Sequence, residues 1–162
     1  MPDMLAWCQW LQEHGAGNSI RRSLWLFPAI ETIHLLGMAT LIATVGFFDL
    51  RLLGWAMREE PVSQLSRRLL PWTWIAFAVQ VVTGSLLFSS EAVKVYLNPA
   101  FRLKLLLILL AGLQALFFEW NVRRNGERWS QGLVPISAKF AACLSILLWM
   151  GVVAAGRFIG FV

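Results

Sequence analysis

Four long apolar blocks occupy most of the chain and constrain its fold more than any other feature. They run over about 25–50, 69–89, 99–120 and 140–161, and a helix of roughly 20 residues is enough to cross the hydrocarbon core of a bilayer. Only 14% of the residues are charged, against about 25% in a typical soluble domain. Helices satisfy their own backbone hydrogen bonds in lipid, and strand-period alternation is absent. We therefore predict an all-α integral membrane four-helix bundle over residues 23–162, in contact with the lipid bilayer.

Residues 1–22 form a separate segment before the first span. Apolar and aromatic residues recur there at helical spacing, at Trp7, Trp10, Leu11 and His14. This pattern predicts a short amphipathic helix that lies in the membrane interface. The simpler alternative is a tail that only anchors the first span.

The basic residues indicate an orientation. The two segments that join spans one to two and spans three to four hold eight Lys and Arg, and the rest of the chain holds six. The positive-inside rule then places these loops in the cytoplasm of a bacterial inner membrane, with both termini periplasmic. The net charge of +5 is accounted for by topology and anionic headgroups, so no nucleic acid partner is expected.

Span one carries the most unusual side chains. Glu31 precedes His34 by one helical turn, and Met38 and Asp49 lie within roughly 60° of Glu31 on the same helical face. Ionisable residues inside a span are costly and commonly functional, and they rarely face lipid. We therefore expect this face to point into the bundle, with Glu31 and His34 at one end and Asp49 at the other. At that other end, Asp49 with the nearby Arg51 is most simply a cytoplasmic cap with an adjacent charge.

His34 has two interpretations. It could be an axial haem ligand, with Glu31 holding the other ring nitrogen, or a buried histidine that only hydrogen-bonds between helices. Spans two to four contain no histidine, so a second ligand would be a non-histidine residue, an open position or a residue of another subunit. Met38 is poorly placed on the same helix, and Met150 and His14 are weak alternatives.

Lys104 and Arg157 are the basic residues predicted at the same level as His34. Lys104 could pair with Glu31, meet a haem propionate or donate a proton, and its alternative is snorkelling to the headgroups. Arg157 could clamp a carboxylate or propionate, although an arginine there is more often a topological anchor. Residue type alone favours the structural interpretation for both.

Three turn or cap signals define helix ends. Asn98-Pro99 predicts an N-cap and first helical residue at the start of span three. Pro71 is interpreted as the start of span two. Asn125-Gly126 predicts a turn between spans three and four.

Short motifs in spans one and three resemble a known family. The segments 33–38 and 47–53, together with the run that begins at Lys104 (KLLLILL), resemble the HemJ-type protoporphyrinogen oxidases and the wider CopD-like membrane proteins. The whole chain is most similar to small four-span bacterial proteins of unassigned function in that group. The resemblance implies ligation of haem b by His34 and a role for Lys104 near the porphyrin.

Two hypotheses follow. In the first, the protein is a redox protein in which His34 binds haem b iron, Glu31 and Lys104 are the catalytic candidates, and Lys104 and Arg157 meet propionates, with a quinone or porphyrin as electron partner. In the second, it is a non-enzymatic subunit or copper-handling protein in which His34, Met38 and Glu31 form a weak metal site or a packed polar cluster. Four short helices leave limited room for a macrocycle, so a homodimer could complete the pocket.

Overall fold

Helices make up almost the whole of the computed structural model, which describes residues 2–131 and 134–161. Within these residues there are seven helices and no strands. They are α1 (Pro2–Glu13), α2 (Gly15–Arg22), α3 (Leu26–Leu53), α4 (Val62–Ser90), α5 (Ala92–Leu97), α6 (Pro99–Gln131) and α7 (Ile136–Phe158).

Four of these helices, α3, α4, α6 and α7, are long and apolar enough to cross a membrane. Both α3 and α6 pack against α4 and against α7, so the helices form a ring in the order α3, α4, α6, α7. Large apolar side chains remain exposed along the outside of the ring, where lipid would cover them. The predicted all-α four-helix membrane bundle is thus confirmed, as a multi-pass membrane protein.

Small side chains let the four helices approach closely at the centre. The core joins Leu41 of α3, Ala76 of α4, Ala111 of α6, and Trp149 and Val152 of α7. The two alanines allow α4 and α6 to pack near the axis, as small residues do in membrane bundles. The leucine and the tryptophan fill the remaining space.

The two N-terminal helices cover one end of the bundle, which we call the tail end; the opposite end is the loop end. Helix α1 packs against α5 and α4, and α2 packs against α4 and α3. A Cβ added at Gly17 would lie 2.5 Å from the carbonyl oxygen of Ser89, so α2 touches the backbone at the end of α4. The Gln12 side chain also accepts a hydrogen bond from the Val93 amide at 3.3 Å.

One of the three predicted helix boundaries is confirmed. The Asn98 side chain accepts a hydrogen bond from the Ala100 amide at 2.9 Å, and α6 begins at Pro99. The side-chain amide of Asn98 also donates to the Ile159 carbonyl at 3.1 Å, which connects the start of α6 to the end of α7.

The other two predicted boundaries are wrong. Helix α4 begins at Val62, so Pro71 lies inside it; a single proline removes one backbone hydrogen bond, which a helix in a membrane bundle tolerates. Residues 125–126 continue α6, and the Asn125 side chain donates to the Asn121 carbonyl of the same helix at 3.2 Å.

Candidate functional site

His34 is held by a hydrogen bond from α3 to α4. Its Nδ1 lies 2.8 Å from the hydroxyl oxygen of Thr83, and that hydroxyl donates its single hydrogen to the Val79 carbonyl at 2.6 Å. The hydroxyl must therefore accept from His34, which places the imidazole proton on Nδ1. The lone pair then lies on Nε2, the nitrogen left available for a ligand.

Glycines on both helices fix the position of this imidazole. A Cβ added at Gly84 of α4 would lie 3.4 Å from Cε1 of His34, so the ring packs on the α4 backbone. A Cβ at Gly37 of α3 would lie 2.9 Å from Nε2 of Gln80, and that amide donates to the His34 carbonyl. The two helices are therefore locked together at the level of the histidine.

Lys104 completes the site from the other two helices. It extends from α6 over Gly156 of α7, where an added Cβ would lie 3.4 Å from its Nζ. Gly156 lies near the end of α7 and His34 near the start of α3, so both side chains lie in the tail-end half of the bundle. Within the described residues, its ammonium has neither a hydrogen bond nor an ion pair. We call His34, Thr83, Gly84, Lys104 and Gly156 the His34–Lys104 site.

Glu31 does not face into this site, and the prediction that it does is wrong. The residue is exposed, and its carboxylate has no hydrogen bond or ion pair among the described residues. His34 is itself only half-buried, and a rotation of about 60° along the helix carries Glu31 past the edge of the packed face. Thr83 occupies the position at Nδ1 that was expected for Glu31.

The remaining sequence candidates are divided between locations. Met38 is half-buried one turn after His34. Arg157 is exposed, lies 5.3 Å from the ring of Phe161 and lines a groove between α3 and α7 that Met150 also lines. His14 is exposed on the tail, where its Nδ1 lies 3.0 Å from the Trp10 carbonyl oxygen.

A site for a bare metal ion finds little support in the geometry. Across residues 2–131 and 134–161, no three or more His, Cys, Asp and Glu side chains come together in a way that could hold a metal ion. Of the weak site predicted from Glu31, His34 and Met38, only the half-buried imidazole of His34 faces the bundle with a strong metal-binding group, because the Glu31 carboxylate points outward. His34 is the candidate that remains for a bond to a metal centre.

The groove between α3 and α7 contains a second group of polar atoms. Asp49 is only 4% exposed and lies against the Ser145 side chain of α7, so it faces inward as the phase of α3 predicts, and the prediction that it is a cytoplasmic cap is wrong. Its Oδ2 is buried and has no partner among the described residues. The same is true of the indole Nε1 of Trp149, and both residues line the groove.

Sequence reasoning missed the partners of these residues, although each left a signal. Gln80 and Thr83 are polar residues three apart in an apolar span, which places them on one helical face. Ser145 and Trp149 are four apart on α7 and share a face in the same way. Their spacing could have identified two inward faces, but it could not have paired them with His34 and Asp49.

The chain belongs to a family described as a family of unknown function (DUF6644), whose model matches residues 27–162. The match begins at the start of α3 and includes all four membrane helices. No curated protein matches the chain, and no solved structure matches it either.

Proposed function

We propose that this DUF6644 protein is a redox protein of the membrane that binds haem b through His34. The observation that carries the proposal is the hydrogen bond from Nδ1 of His34 to Thr83. A histidine that ligates a metal commonly donates its other ring N–H to an oxygen acceptor, which fixes the tautomer and the ring orientation. His34 has this arrangement, with Nε2 as the ligating atom.

Lys104 is the second part of the proposal. An ammonium without a counter-charge is costly inside a span, and Lys104 lies there near a second basic group, the imidazole of His34. An anionic group on the ligand would neutralise it, as a haem propionate does. The two side chains therefore suit haem b: the imidazole of His34 would bind the iron, and the ammonium of Lys104 would pair with a propionate.

The residues of the His34–Lys104 site have separate roles in this proposal. Thr83 orients the imidazole, Gly84 leaves room for its ring, and Gly156 leaves room for the chain of Lys104. Haem b would supply a one-electron centre within the tail-end half of the membrane. Because Arg157 lines the α3–α7 groove and Glu31 is exposed, neither is needed for this assignment.

The electron partner and the assembly belong to the same proposal. A quinone or a porphyrin is the expected partner, because both dissolve in the bilayer that surrounds the helices. His34 is only half-buried, so a second copy of the chain could cover its open side and complete the pocket. The orientation with both termini in the periplasm would place the site towards the periplasmic side.

The test is a reduced-minus-oxidised visible spectrum of the purified protein, expressed with ample haem supply. We expect a b-type spectrum that His34→Ala abolishes without loss of membrane insertion. The matched control is His14→Ala, because His14 is the other histidine of the chain and is exposed on the tail. Lys104→Met should lower haem occupancy, whereas Lys94→Met, at an exposed lysine paired with Glu91, should not.

Either of two outcomes would contradict the proposal. A featureless spectrum of the wild-type protein would show that it binds no haem. Full haem content in the His34→Ala variant would show that His34 is not the ligand and is only a packing residue.

A further inference from the structure

The groove between α3 and α7 combines apolar walls with two buried polar atoms. Its volume is about 600 Å³, which lies in the range of small-molecule sites, roughly 300–1,000 Å³. The walls are made mainly by aliphatic side chains of the two helices, at Ile42, Val45, Ile146, Met150, Val153 and Ala154. Because these walls belong to two membrane spans, a molecule dissolved in the bilayer can reach them.

The two polar atoms need different partners. Oδ2 of Asp49 is an acceptor when the carboxylate is ionised, and Nε1 of Trp149 can only donate. Asp49 is 4% and Trp149 8% exposed, and a polar atom buried without a partner carries an energetic cost. A hydroxyl can donate to a carboxylate oxygen and accept from an indole N–H, so a hydroxyl-bearing ligand is the chemical class that suits both residues of the groove lining.

The shape of the groove favours a ring with an apolar tail. Gly46 on α3 contributes no side chain, and a Cβ added there meets no described atom within 4 Å. Trp149 on α7 also lines the groove, so the lining combines open space beside Gly46 with an aromatic side chain, which favours a ring over a purely aliphatic ligand. From Ile146 to Arg157 the groove follows α7 for about 16 Å at 1.5 Å per residue, which leaves length for part of a tail.

We infer that the α3–α7 groove binds a membrane-dissolved hydroquinone, with a ring hydroxyl at Asp49 and Trp149 and the apolar tail directed towards Arg157. This inference gives the quinone partner of the proposed function a place in the fold. The binding itself does not require haem, because none of the residues of the His34–Lys104 site lines the groove.

The test is equilibrium binding of tritiated decylubiquinol, kept reduced, to the full-length protein in nanodiscs. We expect saturable binding that Gly46→Leu weakens by about tenfold or more, since the new side chain fills the groove. Gly112→Leu is the matched control. A Cβ at Gly112 likewise meets no described atom within 4 Å, but the residue lies on α6 and outside the groove lining.

The polar contacts are tested separately. Asp49→Asn and Trp149→Phe should each weaken binding by about tenfold, because the first replaces the carboxylate by a neutral amide and the second removes the indole donor. The dimethyl ether of the same quinol has no hydroxyl hydrogens and should bind about tenfold more weakly to the unmodified protein.

Several results would overturn the inference. Absence of saturable binding would mean that the groove holds only water or lipid tails. Equal binding of the dimethyl ether, or unchanged binding to Gly46→Leu, would place the quinol elsewhere. Displacement by dioleoylglycerol at equal concentration would favour an acyl alcohol over a ring. The His34→Ala variant should still bind the quinol, so failure of the haem proposal and failure of this one are distinguishable.

Discussion

At the scale of single residues, the chemistry of His34 depends on Thr83. A threonine hydroxyl has one hydrogen, and here the Val79 carbonyl receives it. The histidine can then only donate to that oxygen, so a neutral residue on the neighbouring helix decides which ring nitrogen is free. An acidic partner, such as the one expected at Glu31, would have added a negative charge beside the ring, and Thr83 does not.

Thr83→Val tests this role directly. The variant keeps a branched side chain but removes the acceptor at Nδ1, so the ring loses its orientation and we expect haem affinity to fall about 10–100-fold. Titration of the apoprotein with haem gives the affinity. The control is Thr40→Val, because the Thr40 hydroxyl bonds within α3 to the Leu36 carbonyl and does not touch the ring. An unchanged affinity in Thr83→Val would show that the hydrogen bond does not support ligation.

Sequence reasoning identified individual residues better than their neighbours. His34 and Lys104 were expected at the same end of the bundle, and their contacts with Gly84 near the end of α4 and with Gly156 near the end of α7 agree with that expectation. The inward face of α3 predicted the burial of Asp49, but it did not predict the residue beside it. Asp49 lies against Ser145 of α7, and the phase of one helix does not reveal which residue of another helix faces it.

At the scale of helices, the number and order of the spans were predictable and their ends were less so. Hydropathy marks the apolar part of a helix, but α4 begins at Val62 and α6 continues to Gln131, well past the predicted spans. Polar extensions of this kind stay helical outside the hydrocarbon, and hydropathy does not register them. The Asn98 cap was predictable because its signal is local, with the capping side chain next to the first helical proline.

Helix α2 is attached to the bundle through a glycine contact, which can be broken selectively. In Gly17→Val, the new Cβ would lie 2.5 Å from the Ser89 carbonyl oxygen and 2.6 Å from that of Leu11. Backbone atoms cannot move aside cheaply, so we expect the tail helices to separate from α4. Trypsin cleavage at Arg21 and Arg22 should then become about tenfold faster or more, equivalent to ~1.4 kcal/mol.

The control for this prediction is Ala16→Val, at an exposed position of α2. It introduces the same β-branched residue into the same short helix without a backbone contact. Cleavage that is equally fast in both variants would mean that helix propensity, and not the Gly17 contact, holds the tail. The visible spectrum of Gly17→Val would also show whether the tail is needed to retain a ligand at the tail end.

At the scale of the whole molecule, two sites lie at different levels of one bundle. His34 and Lys104 occupy the tail-end half, whereas Asp49 and Ser145 lie nearer the loop end. The tail-end site joins four helices, and the groove joins only α3 and α7. If both proposals hold, Asp49 and Trp149 would hold a quinol and His34 would hold haem b, a one-electron centre, at a different depth of the membrane.

The side of the membrane towards which each site lies depends on the orientation of the bundle, which the basic residues predict. Eight Lys and Arg in the loops and helix ends at the loop end, against six elsewhere, place the loop end in the cytoplasm by the positive-inside rule. Alkaline phosphatase is active only in the periplasm. We expect it to be active when fused at the C-terminus and inactive when inserted after Glu59 in the α3–α4 loop.

The small margin between the two counts allows a sharper version of this prediction. Arg67→Gln with Arg68→Gln lowers the loop total to six, equal to the other side, and should give a mixed population in which phosphatase inserted after Glu59 becomes partly active. The structural cost is small, because the Arg68–Glu60 ion pair at 3.5 Å is exposed and such pairs contribute about 0–1 kcal/mol. If phosphatase inserted in the loop of the unmodified protein were active, the predicted orientation would be wrong and the His34–Lys104 site would lie on the cytoplasmic side. An unchanged orientation in the double variant would mean that charge does not set the topology and that packing of the tail helices on α4 is the better explanation.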